Sequence, residues 1–94
     1  MTRFLQSGRR RDMCALLAGR RLQAQALKSR LESHYDERID PRSFYAALES
    51  LEDSGFIERH EEGIHEAYGL TEAGEQRLRD HYEWLSEQLE QQRG

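Results

Sequence analysis

The sequence contains no valine and no asparagine, and it has one cysteine, one proline, one lysine and one tryptophan in 94 residues. A lone cysteine, Cys14, excludes an intramolecular disulfide framework and any CxxC zinc or redox motif. No apolar run approaches the ~18 residues that would suggest a membrane span. The N-terminus also lacks the continuous apolar stretch of a secretory signal. His34, His60, His65 and His81 have no HxxxH spacing and no cysteine companion suited to zinc, so no metal is expected. There is no Gly-rich phosphate loop, no nucleophile elbow and no pair of catalytic carboxylates with a companion base. These absences lead us to expect a soluble, cytoplasmic chain that is not an enzyme, needs no cofactor and has no membrane partner.

What is present is polar. Hydrophobic residues make up 36% and charged residues 34%, with a mean hydropathy of −0.98. A chain of this length buries only a little over ~60% of its unfolded surface, so its core is small and a partner subunit would help complete it. The net charge is −4, but it is segregated. Residues 1–30 hold eight basic residues and one acid, residues 31–60 three and eight, and residues 61–94 three and nine. The acidic total argues against general nucleic-acid binding, while the basic N-terminal third leaves room for a local basic face. We expect those arginines to share one face of the fold. Thirteen of the fourteen basic residues are arginine, a skew compatible with a GC-rich genome or a saline cytoplasm.

Periodicity divides the chain. Residues 1–8, with Phe4 and Leu5, read as an N-terminal arm. A first helix is expected over Arg9–Ala18, with Met13, Leu16 and Leu17 on one face and Gly19 at its C-terminal end. Arg20–Gln23 is a short connector able to give a single bridge to a sheet. A second helix, Ala24–Tyr35, buries Ala24, Leu27, Leu31 and Tyr35. The third starts with Asp40 as N-cap and Pro41 at the first helical position, and Ile39 and Phe44 have the spacing of a hydrophobic staple. Its apolar face is Phe44, Tyr45, Leu48 and Leu51, and Gly55 ends it.

The period then changes to two. Phe56–His60 and Ile64–Leu70 read as strands around a Glu61-Glu62-Gly63 turn. Ile64, Glu66, Tyr68 and Leu70 should share one side of the hairpin. Thr71 caps a final helix running from Glu72 to about Gln92. On it Leu78, Tyr82, Leu85 and Leu89 are spaced as a heptad seam, with Trp84 beside them. The expected fold is mainly α with a small β-hairpin: a winged helix-turn-helix over residues 9–70 and a long C-terminal dimerisation helix over 71–94.

Two motifs then point to a family. Pro41, Tyr45, Leu48, Leu51, Glu52 and Gly55, followed by Phe56-Ile57, resemble the P-x-x-x-Y-x-x-L-x-x-L-E-x-x-G signature of PadR-like transcriptional regulators. Tyr68, Leu70, Thr71 and Gly74 are similar to that family's Y-x-L-T-x-x-G. The Arg-rich, acidic composition is similar to haloarchaeal members. The resemblance implies a homodimer that binds double-stranded DNA, with the C-terminal helix supplying much of the dimer interface. The short C-terminal helix looks like the compact subgroup, without the larger helical effector domain. The effector is not legible.

In such a fold the third helix enters the major groove. Arg42 and Ser43 in its first turn, with Tyr45 and Ala46, are candidate DNA contacts. Gln25, Lys28 and Ser29 on the second helix could clamp phosphate, as could Arg9, Arg10 and Arg11. On the wing, Arg59 and His65 are candidates, set against the acidic Glu61 and Glu62. Leu78, Tyr82, Leu85, Leu89 and Trp84 are the expected dimer contacts. Cys14 is either a small core residue or a redox-sensing thiol. A protein-interaction winged helix that binds no DNA is the alternative function, favoured by the acidic balance.

Overall fold

The computed structural model describes residues 8–93. The arm proposed over residues 1–8, including Phe4 and Leu5, lies outside the described residues apart from Gly8. Four helices and one hairpin follow in order: α1 (Gly8–Leu16), α2 (Ala24–Tyr35), α3 (Pro41–Asp53), β1 (Ile57–Glu62), β2 (His65–Leu70) and α4 (Glu72–Arg93).

The first helix closes earlier than its apolar spacing suggests. Leu17 N–H bonds to Met13 and Cys14 carbonyls, and Ala18 N–H to the Ala15 carbonyl at 3.2 Å. The last turn thus tightens, and Gly19 (φ +73°) ends a turn rather than the helix itself. Helix α2 ends on Asp36 in the left-handed region (φ 55°), a conformation that short polar side chains tolerate best after glycine.

A five-residue connection leads to α3. The Asp40 carboxylate accepts the Ser43 N–H at 3.0 Å, which satisfies an otherwise orphaned donor of the first turn. Ile39 and Phe44 are both buried, as the staple spacing requires. Glu32 on α2 accepts the Ile39 N–H at 2.9 Å and the Lys28 ammonium at 2.8 Å. One carboxylate therefore ties the second helix to the entry of the third.

The core is one cluster. Met13, Cys14, Leu17, Leu27, Leu31, Ile39, Phe44, Leu48, Leu51, Ile57 and Tyr68 are buried together, drawn from α1, α2, α3 and both strands. Tyr45 departs from the expected apolar face: it is 46% exposed and meets Phe44 edge to face at 5.2 Å. Ala47 takes the buried position instead.

The hairpin register runs from Ile57 opposite Leu70 to Glu62 opposite His65. This corrects the expected turn. The loop is Gly63-Ile64, with Gly63 at φ +66°, so Glu61 and Glu62 belong to β1. A two-residue loop with a positive-φ glycine first suits the right-handed twist of the strands. Ile64 stands at the loop tip and is 95% exposed, so it leaves the side it was expected to share. Glu66 and Tyr68 keep that side, since Arg59 on β1 reaches both, and Ala67, Tyr68 and Gly69 are all buried. The connector does add a bridge: Leu22 and Tyr68 exchange backbone hydrogen bonds of 3.0 and 2.7 Å.

Thr71 starts α4. Its Oγ1 accepts the Gly74 N–H at 3.1 Å and donates to the Gly55 carbonyl at 2.6 Å. The helix is 22 residues long, about 33 Å at 1.5 Å per residue. It lengthens the molecule to 52 Å along its principal axis, with a radius of gyration of 14.1 Å. A sphere-like domain of this size would have about 12 Å. The C-terminal part of α4 therefore projects from the body.

Candidate nucleic-acid interface

The outward face of α3 begins with Arg42. Asp40 is occupied with its cap, and Arg42 is exposed with no hydrogen bond or ion pair among the described residues. Ser43 and Ala46 are exposed beside it. A guanidinium free of ion pairs among the described residues, with small Ser43 and Ala46 near it, can approach a base edge. Tyr45 adds a half-exposed phenol. Ala47, one residue on, faces the core.

On α2, Gln25 and Ser29 are exposed, but Lys28 is only 11% exposed and is held by Glu32. The lysine supports the α2–α3 connection through that carboxylate. Sequence reasoning missed Glu32, whose role depends on where the turn before α3 passes. Hydrogen bonds from Ile39 and Lys28 hold its carboxyl below the ordinary range.

Within the basic N-terminal third, Arg11 and Arg21 lie on different surfaces. Arg9 and Arg10 are half-buried on α1. Arg11 lines a groove between α1 and α4, together with Asp12, His81, Tyr82, Trp84 and Leu85. Arg21 reaches Glu62 on the hairpin at 3.5 Å. The sequence-local charge excess is therefore not held on one face: Arg11 and Arg21 are sent to different partners, α4 and the hairpin.

On the hairpin, Arg59 donates twice to Glu52, both at 2.9 Å, and lies 3.6 Å from Glu66. These bonds push its pKa further up and hold Glu52 below the ordinary carboxylate range. His65 is exposed opposite Glu62, among acidic neighbours. The tip itself carries Ile64, which the misplaced turn had hidden.

The expected dimer residues divide. Leu78 packs against the chain's own core. Tyr82, Trp84, Leu85 and Leu89 are 70%, 55%, 43% and 56% exposed. Tyr82, Trp84 and Leu85 line the open α1–α4 groove, of about 980 Å³, and Leu89 lies one turn beyond it. His81 stacks on Trp84 at 5.8 Å within it. Burial lowers the His81 pKa, and Arg11 lowers it further, against an opposing effect of Asp12.

Cys14 is fully buried, and desolvation raises its pKa to about 12. It is a core residue without the exposure or thiolate character that sensing requires. Among the described residues, no group of three His, Cys, Asp or Glu side chains is placed to hold a metal ion. No helix among them is long and apolar enough to cross a membrane.

Helix α2, a short turn, helix α3 and the hairpin that follows define the architecture, and solved structures match it over most of the chain. RosR of H. salinarum superposes with a TM-score of 0.81 at 24% identity, covering 87% of this chain and 76% of that one. The chain is a winged helix-turn-helix protein. A homodimeric winged helix-turn-helix DNA-binding domain of a candidate ArsR-family regulator from Mycobacterium bovis matches at 0.77 and 22% identity, over 95% of this chain and 78% of that one. A candidate transcriptional regulator from Thermoplasma acidophilum matches at 0.72 and 20% identity, over 95% and 89%. No protein-family model matches the winged helix described here, and no curated protein does. In the terms of this fold, α3 occupies the position named the recognition helix and the β1–β2 hairpin that of the wing.

Proposed function

We propose that this chain is a homodimeric, sequence-specific DNA-binding transcriptional regulator. The observation that carries the reading is the first half of α3, where Arg42, without an ion pair among the described residues, stands exposed with Ser43 and Ala46. Two such helices, one from each protomer, would enter successive major grooves about one turn apart, ~34 Å, on a pseudo-palindromic site. Gln25 and Ser29, both exposed on α2, would hold phosphate. With Lys28 and Arg59 already engaged in ion pairs, few side chains remain to read bases, so the shape of the duplex should matter.

The projecting α4 supports the dimer. Tyr82, Leu85 and Leu89 lie on one stripe with Trp84 beside them, and all four stay 43–70% exposed among the described residues, even where they line the α1–α4 groove. A second copy would bury them and complete a small core. The two sequence motifs support a PadR-like assignment, since the fold gives their residues definite work: Gly55 takes φ +80°, Thr71 caps α4, and Glu52 binds Arg59.

Selection of the purified chain against a randomised duplex pool tests the reading. A two-fold symmetric motif is expected among the retained sequences. Leu85→Arg should give monomers and lose binding to that motif together. Recovery of no motif would favour the alternative, a winged helix that engages protein rather than DNA.

A further inference from the structure

A second cluster near the recognition helix joins it to the wing. Arg59 Nε and Nη2 each donate to one oxygen of Glu52 at 2.9 Å. Its Nη1 lies 3.6 Å from Glu66 on β2, and its guanidinium carbon is 5.8 Å from the centroid of the Tyr68 ring. Arg59 and Tyr68 are also cross-strand partners. One side chain thus touches the recognition helix and both strands of the wing. The backbone between α3 and β1 is only residues 54–56, with Gly55 at φ +80°.

We propose that Arg59 is a positioning residue, which fixes the angle of the wing to α3 through Glu52 and affects DNA recognition by that route rather than by touching phosphate. The proposal rests on the DNA-binding reading above. A bidentate arginine–carboxylate pair sets direction as well as distance, because both donor edges are parallel to both acceptor oxygens. An isolated exposed pair contributes little, but this one is part of a network with Glu66 and Tyr68. To reach a phosphate, Arg59 would have to release Glu52 and leave that carboxylate unneutralised beside Glu49 and Asp53. Removal of Glu52 separates the two roles by sign. If Arg59 were a phosphate contact restrained by Glu52, removing the carboxylate would strengthen binding. A wing held by the pair predicts weaker binding instead.

The test uses the full chain and the duplex recovered from the randomised pool. Hydrogen exchange of the hairpin amides is measured first, without DNA, in the wild type, Glu52→Gln and Arg59→Gln. Both variants should exchange faster over residues 57–70, with α1 and α2 unchanged. Binding to the duplex should then weaken in each by about three- to tenfold, and the double variant should be no weaker than either single one. The dependence of affinity on salt should keep its slope. Stronger binding by Glu52→Gln, or a salt slope shallower by about one in Arg59→Gln, would overturn the proposal in favour of a direct phosphate contact. Unchanged exchange in both variants would overturn it as well. If the wild type retains no duplex, the DNA-binding reading fails, and the exchange result still decides whether the pair holds the wing.

Discussion

A Cβ placed on Gly74 would stand 2.0 Å from the carbonyl oxygen of Phe56. The first turn of α4 thus lies directly on the backbone that leads from the recognition helix into the wing. Thr71 N–H bonds to the same carbonyl at 3.1 Å. In an exposed helix interior, Gly→Ala stabilises by up to ~1 kcal/mol. Here the sign should reverse, because backbone on both sides must move. Gly74→Ala is expected to destabilise by roughly 2–4 kcal/mol, in the range of core overpacking and strain. Urea unfolding measures it, and an unchanged or raised midpoint would refute the close approach.

Arg42 and Lys28 should behave oppositely. Arg42→Ala should leave the unfolding midpoint unchanged and weaken duplex binding by about 1–3 kcal/mol, roughly five- to 150-fold. Lys28→Ala should lower stability by up to ~1 kcal/mol through loss of the Glu32 pair, and should change DNA affinity less than Arg42→Ala does. Paired unfolding and anisotropy titrations separate them. Equal losses of affinity in the two variants would show that Lys28 leaves Glu32 to bind phosphate.

The Cys14 thiol should resist modification. It is fully buried and its pKa is raised to about 12 by desolvation, so almost no thiolate exists near neutrality. Iodoacetamide at pH 8 should label it only after denaturation, and mild peroxide should leave duplex binding unaltered. Rapid labelling of the native chain would contradict this.

His81 gives the stability a pH dependence. Its pKa in the folded chain is lowered, first by burial and then by Arg11. The unfolded chain therefore takes up this proton at higher pH than the folded one does. The contribution is complete above about pH 6.5 and declines as pH falls through that value toward the lowered one. His81→Gln should reduce the loss of stability between pH 7.5 and 5.5. Urea midpoints at the two pH values check it, and an identical loss in the variant would remove His81 as the cause.

Local signals located most of the fold. Asp40 and Pro41 mark the start of α3, Thr71 marks the start of α4, and the stripe of Leu27 and Leu31 places α2 over the observed Ala24–Tyr35. These features act within a turn or two of chain, so sequence spacing reports them. The hairpin turn was misplaced because Ile64, an apolar residue, occupies a bare loop tip where polar residues are usual. The pairings were also hidden. Arg59 and Lys28 are cations available to phosphate by type, but Glu52 and Glu32 hold them, and which acid captures a cation is decided by tertiary approach. The same holds for the N-terminal arginines: Arg21 meets Glu62, 41 positions away. Gly74 reads as a helix-weakening residue until Phe56 is seen beneath it.

The central claim, that two recognition helices on one dimer read two half-sites, is tested most directly by hydroxyl-radical footprinting of the wild type on the selected duplex. The account predicts two protected patches on one face of the DNA, their centres about one helical turn, ~34 Å, apart. A single patch, or uniform protection that disappears with added non-specific DNA, would contradict it.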